Sequence, residues 1–246
     1  MIALNRPLLQ DMHVHSTFSD GANTLAENVA EAERLGLWEM TCVDHVRGDT
    51  DWVPSFVAAV RVLGRRTPVR LQCAVEAKLL DTEGRLDLPE NLAGIDAIYA
   101  ADHQVPMPDG PHAPDEIKRL MNARELDPRV VITSIVTATA LALRRPEQIV
   151  IAHLFSVLPK IGLSEDDVPE PLIGALAEVA ARNGAWIEIS ERWRCPGART
   201  LRPFVEAGVP VLLSTDSHCA ETIGRYDYCA AVADELGLSR RALALV

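Results

Sequence analysis

Apolar and polar positions alternate along the chain in a regular order, with short apolar runs followed by longer segments that are apolar on one helical face. Seven runs are typical of buried strands, at residues 8–15, 39–45, 69–77, 97–103, 149–155, 185–190 and 210–217. Strands that alternate with helices in this way predict a parallel sheet.

Helical periodicity lies between most of these runs. The predicted helices are residues 24–35, 52–63, 114–125, 130–143, 171–183, 198–207 and 227–236. Glycines follow five of them, and we expect left-handed C-caps at Gly36, Gly64, Gly184, Gly208 and Gly237. Segment 130–143 is uncharged but shorter than the ~20 residues that a membrane span needs. We therefore predict a buried helix there and no membrane association.

The repeated strand and helix pattern has no Pro-, Gly- or Ser-rich linker. This favours a single domain over residues 1–246, built as a distorted (β/α)7 TIM-like barrel, although a doubly wound open sheet would use the same alternation. Two adjacent helices between the fourth and fifth strands follow a loop that contains Pro106, Pro108, Pro111 and Pro114. We interpret residues 106–146 as a helical insertion.

The chain of 246 residues is acidic, with 24 Lys plus Arg, 35 Asp plus Glu and a net charge of −11. Extended nucleic-acid binding is disfavoured, because it relies on clustered basic residues, and a small polar substrate is expected instead. Five cysteines without a C-x-x-C pair argue against a disulfide framework and a zinc ribbon, and they favour a reducing, cytoplasmic location. The first ten residues do not resemble a signal peptide.

The positions of the histidines are the most informative feature. Six of the seven lie in or at the C-terminal ends of predicted strands, namely His13, His15, His45, His103, His153 and His218, whereas His112 lies in a loop. Active sites of parallel α/β folds form at that edge. The six imidazoles are therefore expected to converge.

Carboxylates accompany these histidines. His13 and His15 are two residues apart on a strand and point to the same side, and Asp216 precedes His218 by the same spacing. An isolated H-x-H pair is as often structural, but with a D-x-H at the far end of the chain it indicates a divalent-metal site. Glu76 ends an apolar strand, where a buried carboxylate needs a cation. Asp20 alone would be read as a turn residue.

These residues resemble the motifs of the PHP (polymerase and histidinol phosphatase) family of metal-dependent phosphoesterases. The resemblance lies in D-x-H-x-H-S-x-x-S-D-G at 11–21, V-D-H at 43–45 and T-D-S-H at 215–218, and it extends over residues 11–226. It implies a distorted (β/α)7 barrel. An amidohydrolase would also begin with H-x-H, but it would not need Asp20, His45 or His218 and usually has a mid-barrel lysine, for which Lys78 is poorly placed.

The resemblance also implies two or three divalent ions, with zinc, manganese or iron suited to imidazole-rich sites. His13, His15, Glu76 and Asp216 would hold one ion. Glu76 would bridge to a second, held also by His103 and His153. Asp20, His45 and His218 would hold the third. The residues implied in catalysis are His13, His15, Glu76, His153, Asp216 and His218.

The expected reaction is hydrolysis of a small phosphomonoester, such as histidinol phosphate or a nucleotide, by attack of a metal-bridging hydroxide. Candidate phosphate-binding residues are Arg47, Arg192, Arg194 and Arg225. Trp193 could stack on a substrate ring or pack locally. Two alternatives stay open: a nuclease or nucleoside-bisphosphate phosphatase, and a non-catalytic metal-bound module. The substrate, the metals and the oligomeric state are not determined by the sequence.

Overall fold

All seven predicted strands are present and form one parallel sheet in a computed structural model that describes residues 10–238. Residues 8 and 9 of the first predicted strand lie outside the described residues. The strands in chain order are β1 (Gln10–Val14), β2 (Glu39–His45), β3 (Arg70–Lys78), β4 (Ala97–Ala101), β5 (Val105–Met107), β6 (Gly110–His112), β7 (Ile149–Ile151), β8 (Trp186–Ser190) and β9 (Val211–Ser214). The main sheet runs β1-β2-β3-β4-β7-β8-β9.

The two ends of this sheet meet, which makes it a nearly closed TIM-like (β/α)7 barrel. The His15 amide donates to the Ser217 carbonyl at 2.8 Å, and the Ser217 amide donates to the His13 carbonyl at 3.2 Å. The register between β1 and β2 shifts between Asp11 and Val14. Such a bulge re-aims side chains at a barrel rim, and it lies at the H-x-H pair.

The helices are α1 (Leu25–Leu35), α2 (Val53–Gly64), α3 (Pro114–Asn122), α4 (Pro128–Ala142), α5 (Leu158–Ile161), α6 (Glu170–Arg182), α7 (Ala198–Glu206) and α8 (Tyr228–Glu235). Helix α1 begins where the sequence signals it, because Thr24 and Glu27 form a reciprocal capping box. Gly36 ends it in the left-handed conformation with φ 72°. Within residues 10–238, no helix combines the length and apolar character needed to cross a bilayer.

Two sequence-based expectations about local structure are wrong. Gly64 is the last residue of α2, which ends on Arg65 in a right-handed conformation, whereas Gly36, Gly184, Gly208 and Gly237 have positive φ as expected. The loop before α3 contains the antiparallel hairpin β5–β6, and His112 lies in β6. Prolines are tolerated in a two-stranded edge ribbon of this kind, where few ladder hydrogen bonds are lost. The single-domain assignment with an insertion at about 106–146 stays a prediction.

Inward-facing residues fill the barrel below its C-terminal rim. Met12, Val43, Ala74, Tyr99, Val150 and Leu212 belong to one buried cluster. We call this cluster the barrel plug. Inward-facing and outward-facing residues alternate along β3, so the next inward position after Ala74 is the carboxylate of Glu76. The helices pack outside the strands in two larger apolar clusters. This packing gives the rim a rigid base.

Candidate metal centre

Glu76 lies at the centre of the site and is 1% exposed. Its Oε1 lies 2.8 Å from His153 Nε2 and 3.0 Å from His103 Nε2. Its Oε2 lies 3.0 Å from His45 Nδ1, 3.4 Å from His13 Nε2 and 3.5 Å from His15 Nε2. One carboxylate therefore contacts five imidazoles, which come from the ends of four strands.

Asp20 lies on the opposite side of His45 from Glu76, in the loop after β1. Its Oδ2 is 3.3 Å from His218 Nε2 and 3.6 Å from His45 Nε2, and its Oδ1 is 3.7 Å from His15 Nδ1. The buried Asp44 carboxylate holds this loop. It accepts hydrogen bonds from the amides and hydroxyls of both Ser16 and Ser19, at 2.5–3.2 Å.

Asp216 and His153 leave the strand geometry just past β9 and β7. Both have positive φ, 51° and 27°, in residues other than glycine. Backbone conformations of this kind are costly and persist where surrounding structure imposes them, often at functional sites. Asp216 Oδ1 lies 3.2 Å from His15 Nε2. The left-handed turns thus direct both side chains into the cluster.

Three groups have ligand atoms within 4.8 Å of one another: His15, Asp20, His45 and His218; His13, His15 and Asp216; and His45, Glu76 and His103. His15 and His45 each belong to two groups. His153 belongs to none of them and joins the cluster through its hydrogen bond to Glu76. All nine residues that the sequence singled out as ligands therefore lie in one contiguous cluster.

The donor atoms fit divalent cations. Six buried atoms in the cluster have no hydrogen-bond partner in a suitable geometry, although some lie close to other polar atoms: His13 Nε2, His15 Nδ1 and Nε2, Glu76 Oε2, His153 Nδ1 and Asp216 Oδ1. Unpaired buried polar atoms cost about 1–3 kcal/mol each. Imidazole and carboxylate are ligands that zinc, manganese and iron accept. Cations in this cluster would remove that cost.

Two buried carboxylates contact the predicted ligands from outside the cluster. Glu188 on β8 accepts from the His153 amide at 2.8 Å and lies 2.9 Å from His13 Nδ1. Asp102 accepts from the Ser156 hydroxyl at 2.7 Å and lies 3.6 Å from His153 Nδ1. Asp102 directly precedes the predicted ligand His103, whereas no predicted motif includes Glu188. Glu188 lies between the apolar residues Ile187 and Ile189, and a carboxylate inside an apolar strand is the pattern that identified Glu76.

Proton affinities in the cluster reflect these contacts. Burial opposes the charged form of Glu76, but His103 and His13 hold the pKa of its carboxyl well below the usual range. Burial would lower the pKa of His153, but Asp102 and Glu76 raise it to about 10. The pKa of His13 is likewise raised, by Glu188 and Glu76 against the effect of burial. The carboxylates therefore attract positive charge into the centre.

A cavity of about 730 Å³ opens above the cluster. Its walls include Phe18, Val46, Trp52, Lys78, Gln104 and Trp193, together with Arg47 and Arg192. The other two candidate arginines are not among its lining residues: the Arg194 guanidinium lies 5.0 Å from the Tyr228 ring, and Arg225 interacts with Glu31 on α1. Lys78 pairs with Asp87 at 3.3 Å.

Comparison with known proteins places this geometry in context. The sequence profile of the PHP domain matches residues 11–192. A probable phosphatase of Caldanaerobacter subterraneus subsp. tengcongensis is 24% identical, over 94% of this chain and 84% of its own length. A probable phosphatase of Clostridium acetobutylicum is also 24% identical, over 94% and 88%.

A solved structure shares the fold. It is the histidinol phosphate phosphatase of Lactococcus lactis subsp. lactis, complexed with zinc, L-histidinol and phosphate. The alignment has a TM-score of 0.66 at 16% identity and covers 94% of both chains. The barrel is therefore common to the two proteins.

Proposed function

The chain belongs to the PHP domain family, whose profile spans residues 11–192, and from this premise we propose that it is a metal-dependent phosphoesterase. The reaction is the hydrolysis of a small phosphomonoester. One observation carries the proposal: six imidazoles and three carboxylates converge below an open cavity, with buried donor atoms that lack hydrogen-bond partners. The names of the relatives agree with a phosphatase activity.

The proposed centre holds two or three divalent ions of zinc, manganese or iron. His13, His15, Glu76 and Asp216 would hold one ion, Glu76 with His103 and His153 a second, and Asp20, His45 and His218 a third. Such ions supply Lewis acidity, which activates water at neutral pH and neutralises phosphate charge. The placement of Glu76, with Oε1 toward one set of imidazoles and Oε2 toward another, supports its role as the bridging ligand.

Residues of the chain bind and orient the substrate. Arg47 follows β2 and Arg192 follows β8, and both line the cavity. Guanidinium groups form bidentate hydrogen bonds with phosphate oxygens, so these two arginines are our candidates for substrate binding. Phe18 and Trp52, with ring centroids 5.4 Å apart, provide an apolar wall for the leaving group. Arg194 and Arg225 are not among the residues that line the cavity, so we do not propose them for this role.

The five cysteines are free thiols in the structure, and on that basis we propose that the protein works in a reducing location such as the cytoplasm. Its small-molecule substrate carries phosphate, and an acidic chain without clustered basic residues does not favour extended nucleic acid as a partner.

The test combines metal analysis with a substrate panel. We expect the purified protein to contain divalent metal by elemental analysis and to hydrolyse phosphomonoesters, including p-nitrophenyl phosphate, histidinol phosphate and nucleoside monophosphates. Asp216→Asn and His153→Ala should abolish this turnover. Activity confined to diesters or short oligonucleotides would replace the proposal with a nuclease, and bound metal without turnover would indicate a binding module. A protein that takes up no metal would refute it.

A further inference from the structure

Trp193 contacts a proposed metal ligand from outside the cluster. Its indole Nε1–H donates a hydrogen bond of 2.6 Å to Asp216 Oδ2. The side chain lies in the loop after β8, where it is half-buried and lines the cavity. The residue is thus at the centre, without being able to coordinate a cation itself.

The loop that carries Trp193 is tied down on both sides. The Ser190 amide donates to the Cys195 carbonyl at 2.9 Å, and the Arg194 amide donates to the Ser190 carbonyl at 3.0 Å. The Trp193 amide donates to the Ser190 hydroxyl at 3.3 Å. The indole is therefore presented to Asp216 from a closed turn rather than from a free chain segment.

This hydrogen bond makes the two carboxylate oxygens of Asp216 different. Oδ2 is occupied by the indole. Oδ1 is buried without a hydrogen-bond partner and lies among the ring nitrogens of the cluster, 3.2 Å from His15 Nε2 and 3.5 Å from His218 Nδ1. Only one oxygen is thus free to face a cation.

We propose that Trp193 is a positioning residue that fixes Asp216 as a one-oxygen ligand of the metal centre. Asp216 is in a left-handed conformation past the end of β9, so no strand pairing sets the direction of its side chain. An indole N–H can only donate, so it requires Oδ2 to be an acceptor and favours the ionised carboxylate. The inference rests on the proposed function, because it needs a metal at this centre.

The surroundings of the indole favour this role over stacking on a substrate ring. The Lys160 ammonium lies 4.1 Å from the centre of the Trp193 ring and covers one face. The His153 ring lies 5.6 Å away and tilted by 49°. The edge with the N–H group is engaged by Asp216. One face and the N–H edge of the indole are therefore already engaged by residues of the chain.

The test is Trp193→Phe, which keeps an aromatic ring and removes the donor. Trp186→Phe is the matched control, because Trp186 begins the same strand β8 and packs against the barrel plug instead of the cavity. Zinc affinity is measured on the full chain by competition with a chromophoric chelator. We expect Trp193→Phe to weaken zinc binding about 10–100-fold, as loss of a partner of a metal ligand typically does, and Trp186→Phe to leave it unchanged.

Turnover of p-nitrophenyl phosphate distinguishes positioning from substrate contact. If Trp193 acts through Asp216, excess zinc restores kcat in Trp193→Phe and KM stays at the wild-type value. Unchanged zinc affinity overturns the inference, whether or not KM rises. A wild-type protein that binds zinc but hydrolyses no ester refutes the proposed function while the zinc comparison still decides the role of Trp193.

Discussion

Single residues show which parts of the site follow from the sequence. The nine predicted ligands could be singled out because strand-end histidines and acids form motifs with fixed spacing. Glu188 was missed although it is a fully buried acid between Ile187 and Ile189. The same burial argument that identified Glu76 applies to it. Glu188, like Trp193, contacts a predicted ligand, and the pairing across the barrel is visible only in three dimensions.

Replacing Glu188 by Gln tests this supporting role. The Glu188 carboxylate lies 2.9 Å from His13 Nδ1, which keeps a proton on that nitrogen and leaves Nε2 free for the cluster. If the amide NH₂ of Gln faces Nδ1, it forces the proton onto Nε2. We expect Glu188→Gln to lower zinc affinity about 10–100-fold in a chelator competition.

The exposed Glu178 on α6 provides the control, since Glu178→Gln changes the net charge equally without contacting the centre. Wild-type zinc affinity in Glu188→Gln would show that His13 is oriented by other contacts.

Thiol reactivity is a second property that single residues determine. Cys42, Cys73, Cys195 and Cys229 are buried, whereas Cys219 is partly exposed. Burial raises the pKa of the Cys73 thiol to about 12 and that of Cys42 well above its ordinary value, so neither forms thiolate at neutral pH. We expect a disulfide reagent at pH 8 to titrate one thiol in the native protein and five in denaturant. Rapid reaction of two or more native thiols would contradict the described packing.

At the scale of elements, periodicity predicts where strands begin better than where they end. The runs at 97–103, 149–155 and 210–217 were each predicted longer than β4, β7 and β9. The chain leaves the sheet where the predicted ligands occur, since His153 and Asp216 adopt positive φ just past strand ends. The pattern of apolar residues does not reveal this change of backbone conformation. The hairpin β5–β6 was missed for a related reason, because its prolines are typical of loops.

The turn after β1 offers an element-scale prediction. A Cβ at Gly21 would lie 2.7 Å from the backbone C and O of His15 and from the Ser16 amide nitrogen. The backbone that carries His15 and Asp20 must therefore move in Gly21→Ala. We expect a loss of about 1–3 kcal/mol in unfolding free energy and fewer zinc ions per chain. Thermal denaturation and elemental analysis measure the two effects.

Two glycines distant from the centre serve as controls. A Cβ at Gly84 would lie 2.5 Å from the Ala142 amide nitrogen, so Gly84→Ala should destabilise without loss of zinc. Gly174 on α6 has nothing within 4 Å, so Gly174→Ala should stabilise by about 0.5–1 kcal/mol. Full zinc content in Gly21→Ala would show that the loop tolerates the shift.

At the scale of the whole molecule, an acidic chain and an anionic substrate are compatible only if positive charge is concentrated in the site. The chain carries a net charge of −11, and the carboxylates of Asp20, Glu76 and Asp216 place three of its negative charges at the site. Three divalent cations would bring about +6 to these three carboxylates, because bound ions are often the largest charges in a site. Composition alone predicts a negatively charged surface, whereas bound cations would make the charge of the site positive.

Stability as a function of pH tests this charge reversal. In the metal-free protein the pKa values of His13, His45 and His153 lie above the ordinary 6.5, for His153 at about 10, because the carboxylate contacts outweigh burial. Protonated imidazoles then stabilise the fold fully below pH 6.5, and this contribution is lost as pH rises toward the folded-state pKa values. The loss is about 1.4 kcal/mol per pH unit for each retained proton. We therefore expect the melting temperature in chelator to fall from pH 6.5 to 9.

Zinc should reverse this trend, because it binds the deprotonated imidazoles and its affinity rises with pH. At a free concentration ~1,000 times Kd, zinc adds about 4 kcal/mol. That corresponds to an increase of about 10 °C in melting temperature for a chain of this size. The gap between zinc-loaded and metal-free melting temperatures should therefore widen from pH 6.5 to 9, as measured by calorimetry, and zinc uptake in weak buffer should release protons. The buried acids Asp11 and Asp44 have pKa values of about 6, so they contribute little to the change in stability between pH 6.5 and 9. A gap that stays constant or narrows would mean that protons and cations do not compete for the same imidazoles.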